Sequence, residues 1–247
     1  HMVNQFERRL LKKADLILAT SPNYIHPSSP IYDYRDKTKV VPNGIIKKEF
    51  QWKKGDEKIV EEIRNKYHNK KIVFVVGRHA TYKGFNYLIE AEKHIQSDCV
   101  ILIGGRGPET DRLKAMTTSD RVKFIGRIPN EYLRCYYYAS DIFAFTSCTK
   151  QEAFGIALAE AMYCGSVPVT FTIEGSGVNW VSVNGETCIE VPLGDVKAYA
   201  EAIDKLLTDN DLYMQYATAG KERISKMFTS EKSNKEADAI FKELIDL

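Results

Sequence analysis

Apolar positions along this chain change their spacing regularly from residue 71 onward. Short continuous runs of β-branched and aromatic residues alternate with stretches whose apolar side chains recur every three or four positions. IVFVV (72–76) precedes FNYLIEAEKHI (85–95), CVILIG (99–104) precedes PETDRLKAM (108–116), and RVKFIG (121–126) precedes PNEYLRCYYYA (129–139). DIFAFTS (141–147) leads into EAFGIALAEAMYC (152–164), and VPVTF (167–171) into a Gly-rich loop and TCIEV (187–191). Three further helices are predicted near 195–208, 210–226 and 230–246. Strands that are apolar throughout are strands buried on both faces. The alternation therefore predicts an α/β, Rossmann-like doubly wound parallel sheet with helices on either side. Ligands of such sheets bind outside the carboxyl ends of the strands. Chemistry is expected in the loops 77–84, 104–108, 126–130, 146–155 and 172–178.

Residues 1–70 follow another pattern. A helix (3–14) leads to a strand, DLILAT (15–20), then to a Pro/Ser-rich stretch, SPNYIHPSSP, to TKVVPNGI (38–45) and to a charged helix near 55–68. This reads as the tail of a different unit joined to a complete domain. The composition, 44% hydrophobic and 28% charged over 247 residues, is that of a globular protein. A net charge of +2 selects no partner, but its distribution is uneven. Residues 1–71 hold 16 Lys/Arg against 9 Asp/Glu, and the remainder 19 against 24. A basic first third suits an anionic membrane face or nucleic acid; a surface of solvated lysines accounts for it more simply. The five cysteines form no C-x-x-C pair and mostly lie in apolar runs, which reads as buried thiols in a reducing compartment. No run reaches the ~18 apolar residues of a membrane span, and no signal peptide is evident. The opening His1-Met2 looks like a vector-derived scar.

The loop after the first strand of the alternating region, GRHATYKG (77–84), combines Gly77 for a tight turn with two cations, Arg78 and Lys83. An Arg fork and a Lys point charge at a strand's carboxyl end suit a diphosphate. A solvated loop with incidental charges is the plain alternative. The turn GGRGPE (104–109) fails the dinucleotide fingerprint G-x-G-x-x-G, because Thr110 stands where the third glycine belongs. It is expected to let another backbone approach closely. In TSCTKQEAFGIALAEAMYCG (146–165), Phe154 and Gly155 are expected to begin a helix whose unpaired first-turn amides favour an anion. Glu152 precedes that helix. Glu160 follows it by roughly 12 Å along the axis and about 80° around it. The two carboxylates would meet different parts of an elongated ligand, and a carboxylate suits vicinal hydroxyls. Singly, each glutamate reads as a helix-start or helix-face charge. With Arg78, Lys83 and the strand pattern, they read as a site.

These pieces resemble the retaining GT-B glycosyltransferases of family 4, the group 1 transferases. The matching segments stand in family order: ADLILATS (14–21), KVVPNG (39–44), GRHATYKG (77–84), VILIGGRGPETDRL (100–113), VKFIGRIP (122–129), the E-x7-E segment EAFGIALAE (152–160), AMYCGSVPV (161–169) and NGETCIEVPLGD (184–195). The resemblance implies that Glu152 contacts hydroxyls of the donor sugar and that Glu160 holds the ribose. The backbone of Ala153, Phe154 and Gly155 would face the sugar and diphosphate, which Arg78 and Lys83 bind beside Gly77. The loop at Gly126 and Arg127 would meet the base. Transfer from a UDP- or GDP-sugar donor to a saccharide or lipid-linked acceptor follows, with no cofactor and no metal. Residues 1–45 would be the remnant of an N-terminal acceptor domain and hinge, 46–229 the nucleotide-sugar domain, and 230–247 a C-terminal helix. Because most of the acceptor domain is lacking, donor binding without transfer is expected, and the last helix is left exposed, packed elsewhere or swapped. The family often has Gly-x-x-Glu where this chain has GSGVNW (175–180). A cytoplasmic protein touching the inner membrane leaflet, with no nucleic-acid role, fits the family's usual setting. A non-catalytic nucleotide-sugar-binding module shares every one of these residues. An NAD(P)-dependent Rossmann enzyme is disfavoured by Thr110 and by the lack of an acidic residue ending the second strand.

Overall fold

The structure is a computed structural model and describes residues 2–245. Helix α1 (Met2–Lys13) leads into β1 (Ile17–Ala19), which pairs in parallel with β2 (Thr38–Val40) across two 3-10 turns, Pro22–Tyr24 and Pro30–Lys37. After α2 (Lys47–Phe50) and α3 (Asp56–Lys66) the alternating region begins. It runs β3 (Lys71–Val76), α4 (Phe85–Glu92), β4 (Cys99–Gly104), α5 (Thr110–Met116), β5 (Val122–Gly126), α6 (Asn130–Ala139) and β6 (Ile142–Phe145). It continues through α7 (Ile156–Cys164), β7 (Val167–Phe171), α8 (Val178–Val181), β8 (Ile189–Val191), α9 (Val196–Thr208), α10 (Asn210–Met227) and α11 (Ser230–Ile245).

Strands β3 to β8 form one parallel sheet in the order β5-β4-β3-β6-β7-β8. The predicted doubly wound sheet is present, and its order reverses between β3 and β6. All six residues of β4 and all five of β7 are buried, as helices on both faces require. On one face α6 presses Tyr136 and Tyr137 onto Phe74, with ring centroids 5.7 Å apart in both pairs. On the other, α9 stacks Tyr199 on Phe171 at 4.9 Å, and its hydroxyl donates to the Val169 carbonyl at 2.7 Å. Helix α9 shows the local logic plainly. Asp195 caps it through the Ala198 amide, and Tyr199, Ala202, Ile203 and Leu206 form the buried stripe.

Helix α7 begins four residues after Glu152, with Gly155 as its N-cap, close to the start at Phe154 and Gly155 that the sequence predicts. What holds Glu152 and Ala153 out of it is long-range. The Ser176 hydroxyl takes the Glu152 carbonyl, and the Gly177 amide takes the Ala153 carbonyl at 3.1 Å. Carbonyls that would open the helix are thus engaged by the loop after β7, and Gly155, at φ +87°, turns the chain into the helix.

The segment 42–45 is tied to the start of α11. Ile45 donates to Phe228 and Ser230 donates back to Ile45, both at 2.9 Å. A Cβ on Gly44 would run into the backbone of Thr229 and Ser230, so only glycine fits. Beyond this knot α11 buries none of its described residues, and Phe241 is 48% exposed. All five cysteines are free thiols, four of them buried and Cys148 half-buried.

Between α3 and α6 lies a buried ion pair. Arg134 donates from Nε and Nη2 to the two carboxylate oxygens of Asp56 at 2.9 and 2.6 Å, and the Lys53 amide donates at 2.8 Å. Burial alone raises the Asp56 pKa, but the guanidinium and the amide outweigh it and hold it below 3.8. The pair therefore contributes stability that is present above the ordinary carboxyl range and is lost as pH falls through the lowered value. Arg134→Ala leaves Asp56 buried and uncompensated, and urea denaturation at pH 7 is expected to show a loss of about 3–5 kcal/mol. A loss under about 1 kcal/mol would show that the pair does not anchor α6.

Candidate functional site

The loops after β3 and β6 flank the reversal of strand order, where α4 and α7 leave toward opposite faces. They are stitched together. Thr146 Oγ1 donates to the Lys83 carbonyl at 2.8 Å, and the Cys148 amide to the Tyr82 carbonyl at 2.9 Å. Gly84, at φ +63°, lies so close to the Thr146 carbonyl that a Cβ could not be placed there. This close approach brings Lys83 to Glu152, and Nζ pairs with Oε2. Both side chains are mostly buried, 18% and 12% exposed. The Ser147 hydroxyl donates to the same oxygen at 2.9 Å. A second ring of contacts comes from the small N-terminal unit. Thr20 Oγ1 reaches the Ala153 carbonyl at 3.4 Å and Asn23 Nδ2 the Ser176 carbonyl at 3.2 Å. The loop carrying Glu152 is thus held from three sides.

Behind Glu152 the backbone runs free. The amides of Phe154, Gly155 and Ile156 have no acceptor among the described residues. Three successive unpaired donors at the start of α7, with the helix dipole behind them, make an anion-binding concavity. Phe154 itself is buried against Phe228, at 5.5 Å between ring centroids, so only its backbone is available.

Four more of the predicted positions, Gly77, Arg78, Gly126 and Arg127, occupy a neighbouring cluster of loops. Gly77 donates to Gly104 at 3.3 Å, His79 to Arg106 at 3.1 Å, and Gly105 to Gly126 at 2.7 Å. The close approach expected of the GGRGPE turn is made by residues 77–79. A Cβ on Gly105 or Gly107 would strike their backbone. His79 is buried and anchors the cluster through Thr110 Oγ1 at 2.9 Å and the Gly104 carbonyl at 3.2 Å. Burial holds its pKa below 6.5, so the ring is neutral at pH 7. Above this frame, Arg78, Arg106 and Arg127 are exposed and form no ion pair among the described residues. The sequence reading couples Arg78 with Lys83. The structure instead couples Lys83 to Glu152 and leaves Arg78 open. Arg106, Ser147, Ser176 and Thr20 were not assigned from the sequence. Arg106 carried a signal, as a cation in a glycine turn at a strand end. The three hydroxyl residues carried none.

Glu160 lies on α7 beneath these loops. Its Oε2 accepts from Tyr137 at 2.9 Å, while Oε1 has no partner among the described residues. Burial raises its pKa from 4.5 to about 7. The Tyr137 hydroxyl counteracts this in part and the Glu49 charge adds to it. A carboxyl with one lone oxygen and a pKa this high is ready to accept hydroxyl hydrogen bonds from a ligand.

The family model described as "Glycosyl transferases group 1" matches residues 56–223. The chain is 29% identical over 225 residues to D-rhamnosyltransferase WbpZ of Pseudomonas aeruginosa, covering 90% of this chain and 58% of that protein. It is 27% identical over 226 residues to O-antigen chain mannosyltransferase C of Escherichia coli, covering 91% and 60%. It therefore spans about three fifths of these relatives. Among solved structures, sucrose-phosphate synthase from Thermosynechococcus elongatus superposes with a TM-score of 0.81 at 25% identity, covering 98% of this chain and 61% of that one. HepE of Anabaena, solved with UDP and glucose, superposes at 0.82 and 22% identity over 98% of this chain and 68% of that one, a likeness of fold.

The raised Glu160 pKa has a sign. The folded chain keeps a proton that the unfolded chain loses from about pH 4.5, so stability falls as pH rises toward 7. Glu160→Gln keeps a partner for Tyr137 and removes the charge. It is expected to be more stable than the parent by about 1–3 kcal/mol at pH 8, and by much less at pH 5. Denaturation at the two pH values checks this; an equal difference at both would show that Glu160 titrates normally.

Proposed function

We propose that this chain, which belongs to the glycosyl transferases group 1 family, is the donor-binding part of a retaining GT-B glycosyltransferase. The observation that carries the reading is the Lys83–Glu152 pair, held at the reversal of strand order beside three unpaired amides. One cation, one carboxylate and a concavity of N–H donors together match a sugar joined to a diphosphate. Glu152 accepts hydroxyls of the sugar. Lys83, with Arg78, meets the diphosphate, and the amides of Phe154, Gly155 and Ile156 complete its cradle, with Ala153 shaping the turn between. Glu160 accepts the ribose hydroxyls through Oε1. The turn at Gly126, with Arg127 beside it, borders the base.

Breaking the bond between the anomeric carbon and the phosphate oxygen leaves its electron pair on the diphosphate. Negative charge therefore grows where Arg78, Lys83 and the start of α7 point, and these groups stabilise the departure without requiring a metal ion. Lys83 begins the cycle neutralised by Glu152, so an arriving diphosphate competes for a cation already in place and frees the carboxylate for the sugar. The names of the curated relatives point to saccharide synthesis, and the acceptor is proposed to be a saccharide or a lipid-linked saccharide taken by a part outside these residues. No helix among the described residues is long and apolar enough to cross a membrane. Action on the cytoplasmic side, with basic α1 toward the inner leaflet, completes the proposal. The chain by itself is proposed to bind donor without transferring sugar.

Thermal stability with UDP, GDP, ADP, CMP, NAD and the matching nucleotide sugars tests the site. A ligand at about 100 times its dissociation constant stabilises by about 2.7 kcal/mol, a shift of a few degrees for a chain of this length. One nucleoside diphosphate is expected to give that shift, and Arg78→Ala and Glu160→Ala to lose it. A shift from NAD alone, or from none of these compounds, would overturn the reading.

A further inference from the structure

The sheet face that carries Phe74 is not covered to its edge. Phe74, Leu102 and Lys123 stand side by side in register across β3, β4 and β5, and therefore project to the same face. The first two are fully buried beneath the α3 and α6 layer, whereas Lys123 is exposed. Beyond the helices lies a cavity of about 720 Å³, floored by Val100 and Ile125 and walled by Tyr67 and Tyr136. Its other lining comes from the amino ends of β3, β4 and β5, and none of it belongs to the carboxyl-end loops of the donor crevice.

The polar groups of this cavity divide sharply. Lys70 is taken by Asp98 at 2.6 Å. Arg121 is consumed by Glu92 and by the carbonyls of Glu92, Ile95 and Ser97. Lys66 and Lys123 form no ion pair among the described residues, and the hydroxyls of Tyr67 and Tyr136 have no hydrogen-bond partner there. Burial raises both phenol pKa values, with Tyr136 adding to the effect on Tyr67, so the hydroxyls stay protonated donors. His68 adds a ring at the mouth. It and Asn69 both stand at φ +55°, a left-handed pair that costs of the order of 1–2 kcal/mol per residue and holds the mouth in a tight turn. Asp120 is the single carboxylate of the lining. Two ammonium groups without a carboxylate, Lys66 lying 5.6 Å over the Tyr67 ring, and two phenols without a hydrogen-bond partner among the described residues, over an apolar floor, match one ligand chemistry: a phosphate dianion attached to an apolar or ring-shaped body.

We propose that this groove is a second ligand site, separate from the donor crevice, that takes a small organic phosphate ester. Lys66 and Lys123 meet the phosphate oxygens, Tyr67 and Tyr136 donate to them, and the organic body lies on Val100 and Ile125. The volume falls within the range of small-molecule pockets, about 300–1,000 Å³.

Phosphorus NMR and thermal shift with phenyl phosphate, inorganic phosphate and phenol test this on the full chain. Phenyl phosphate is expected to bind more tightly than inorganic phosphate, and phenol not to bind. Lys123→Gln is expected to weaken phenyl phosphate about tenfold, as loss of one charge-assisted contact predicts. The double variant Tyr67→Phe, Tyr136→Phe, which keeps both rings, is expected to weaken it further. Arg78→Ala and Lys83→Met are expected to leave this binding unchanged. Retained affinity in Lys123→Gln, or its loss in Arg78→Ala, would place the phosphate in the donor crevice and overturn the proposal. Absence of binding at 10 mM would overturn it as well. Unliganded melting temperatures of each variant separate lost binding from lost folding.

Discussion

The constraint on which the rest depends is the reversal of strand order between β3 and β6. A parallel sheet built outward from one central pair must send the next connection to the left from one strand and to the right from the other. Helices α4 and α7 therefore depart on opposite faces, and the two loops that precede them cannot fill the space between them. Everything placed at the candidate site follows from that gap. Lys83 comes from one loop and Glu152 from the other. The free amides stand just beyond Glu152 because α7 starts at its N-cap, Gly155.

Among the carboxylates largely withdrawn from water, three are treated differently by the structure. Asp56 is matched twice over by Arg134 and is given an amide as well, which is what a charge serving only the fold requires. Glu152 has one lysine and one hydroxyl, both on the same oxygen, so its other oxygen is open. Glu160 has a single neutral donor and no cation, and its raised pKa is the direct result. Incomplete compensation distinguishes the last two from the first, and it is the property expected of groups that await a ligand.

Much of the fold was legible because the inner strands are buried on both faces. Strands such as CVILIG and VPVTF are uninterrupted apolar runs, and every one of them was visible from composition alone. The capped stripe of α9 was equally plain. The start of α7 was legible to within two residues, but the hydrogen bonds that hold Glu152 and Ala153 out of it were not, because they come from Ser176 and Gly177, more than twenty residues on. The motif glutamates could be named as candidates from their spacing and setting. That Lys83 pairs with Glu152 could not, since it depends on the closeness of Gly84 to Thr146. The groove beside β5 is a matter of what no helix covers. Lys123 in an otherwise apolar strand was its one trace in the sequence, and by itself it reads as an edge-strand lysine.

The glycine-locked loops have a consequence for how this molecule can vary. Gly84, Gly105 and Gly107 each lie against another stretch of main chain with no room for a single carbon atom, so the frame of the crevice admits almost no change at these positions. The side chains of Arg78, Arg106 and Arg127 stand on that frame, exposed, and support nothing beneath them. Constraint and freedom are thus separated by a few atoms along the same loops. Descendants of this chain can replace the three arginines at little expense in stability, while the crevice that presents them stays the same shape.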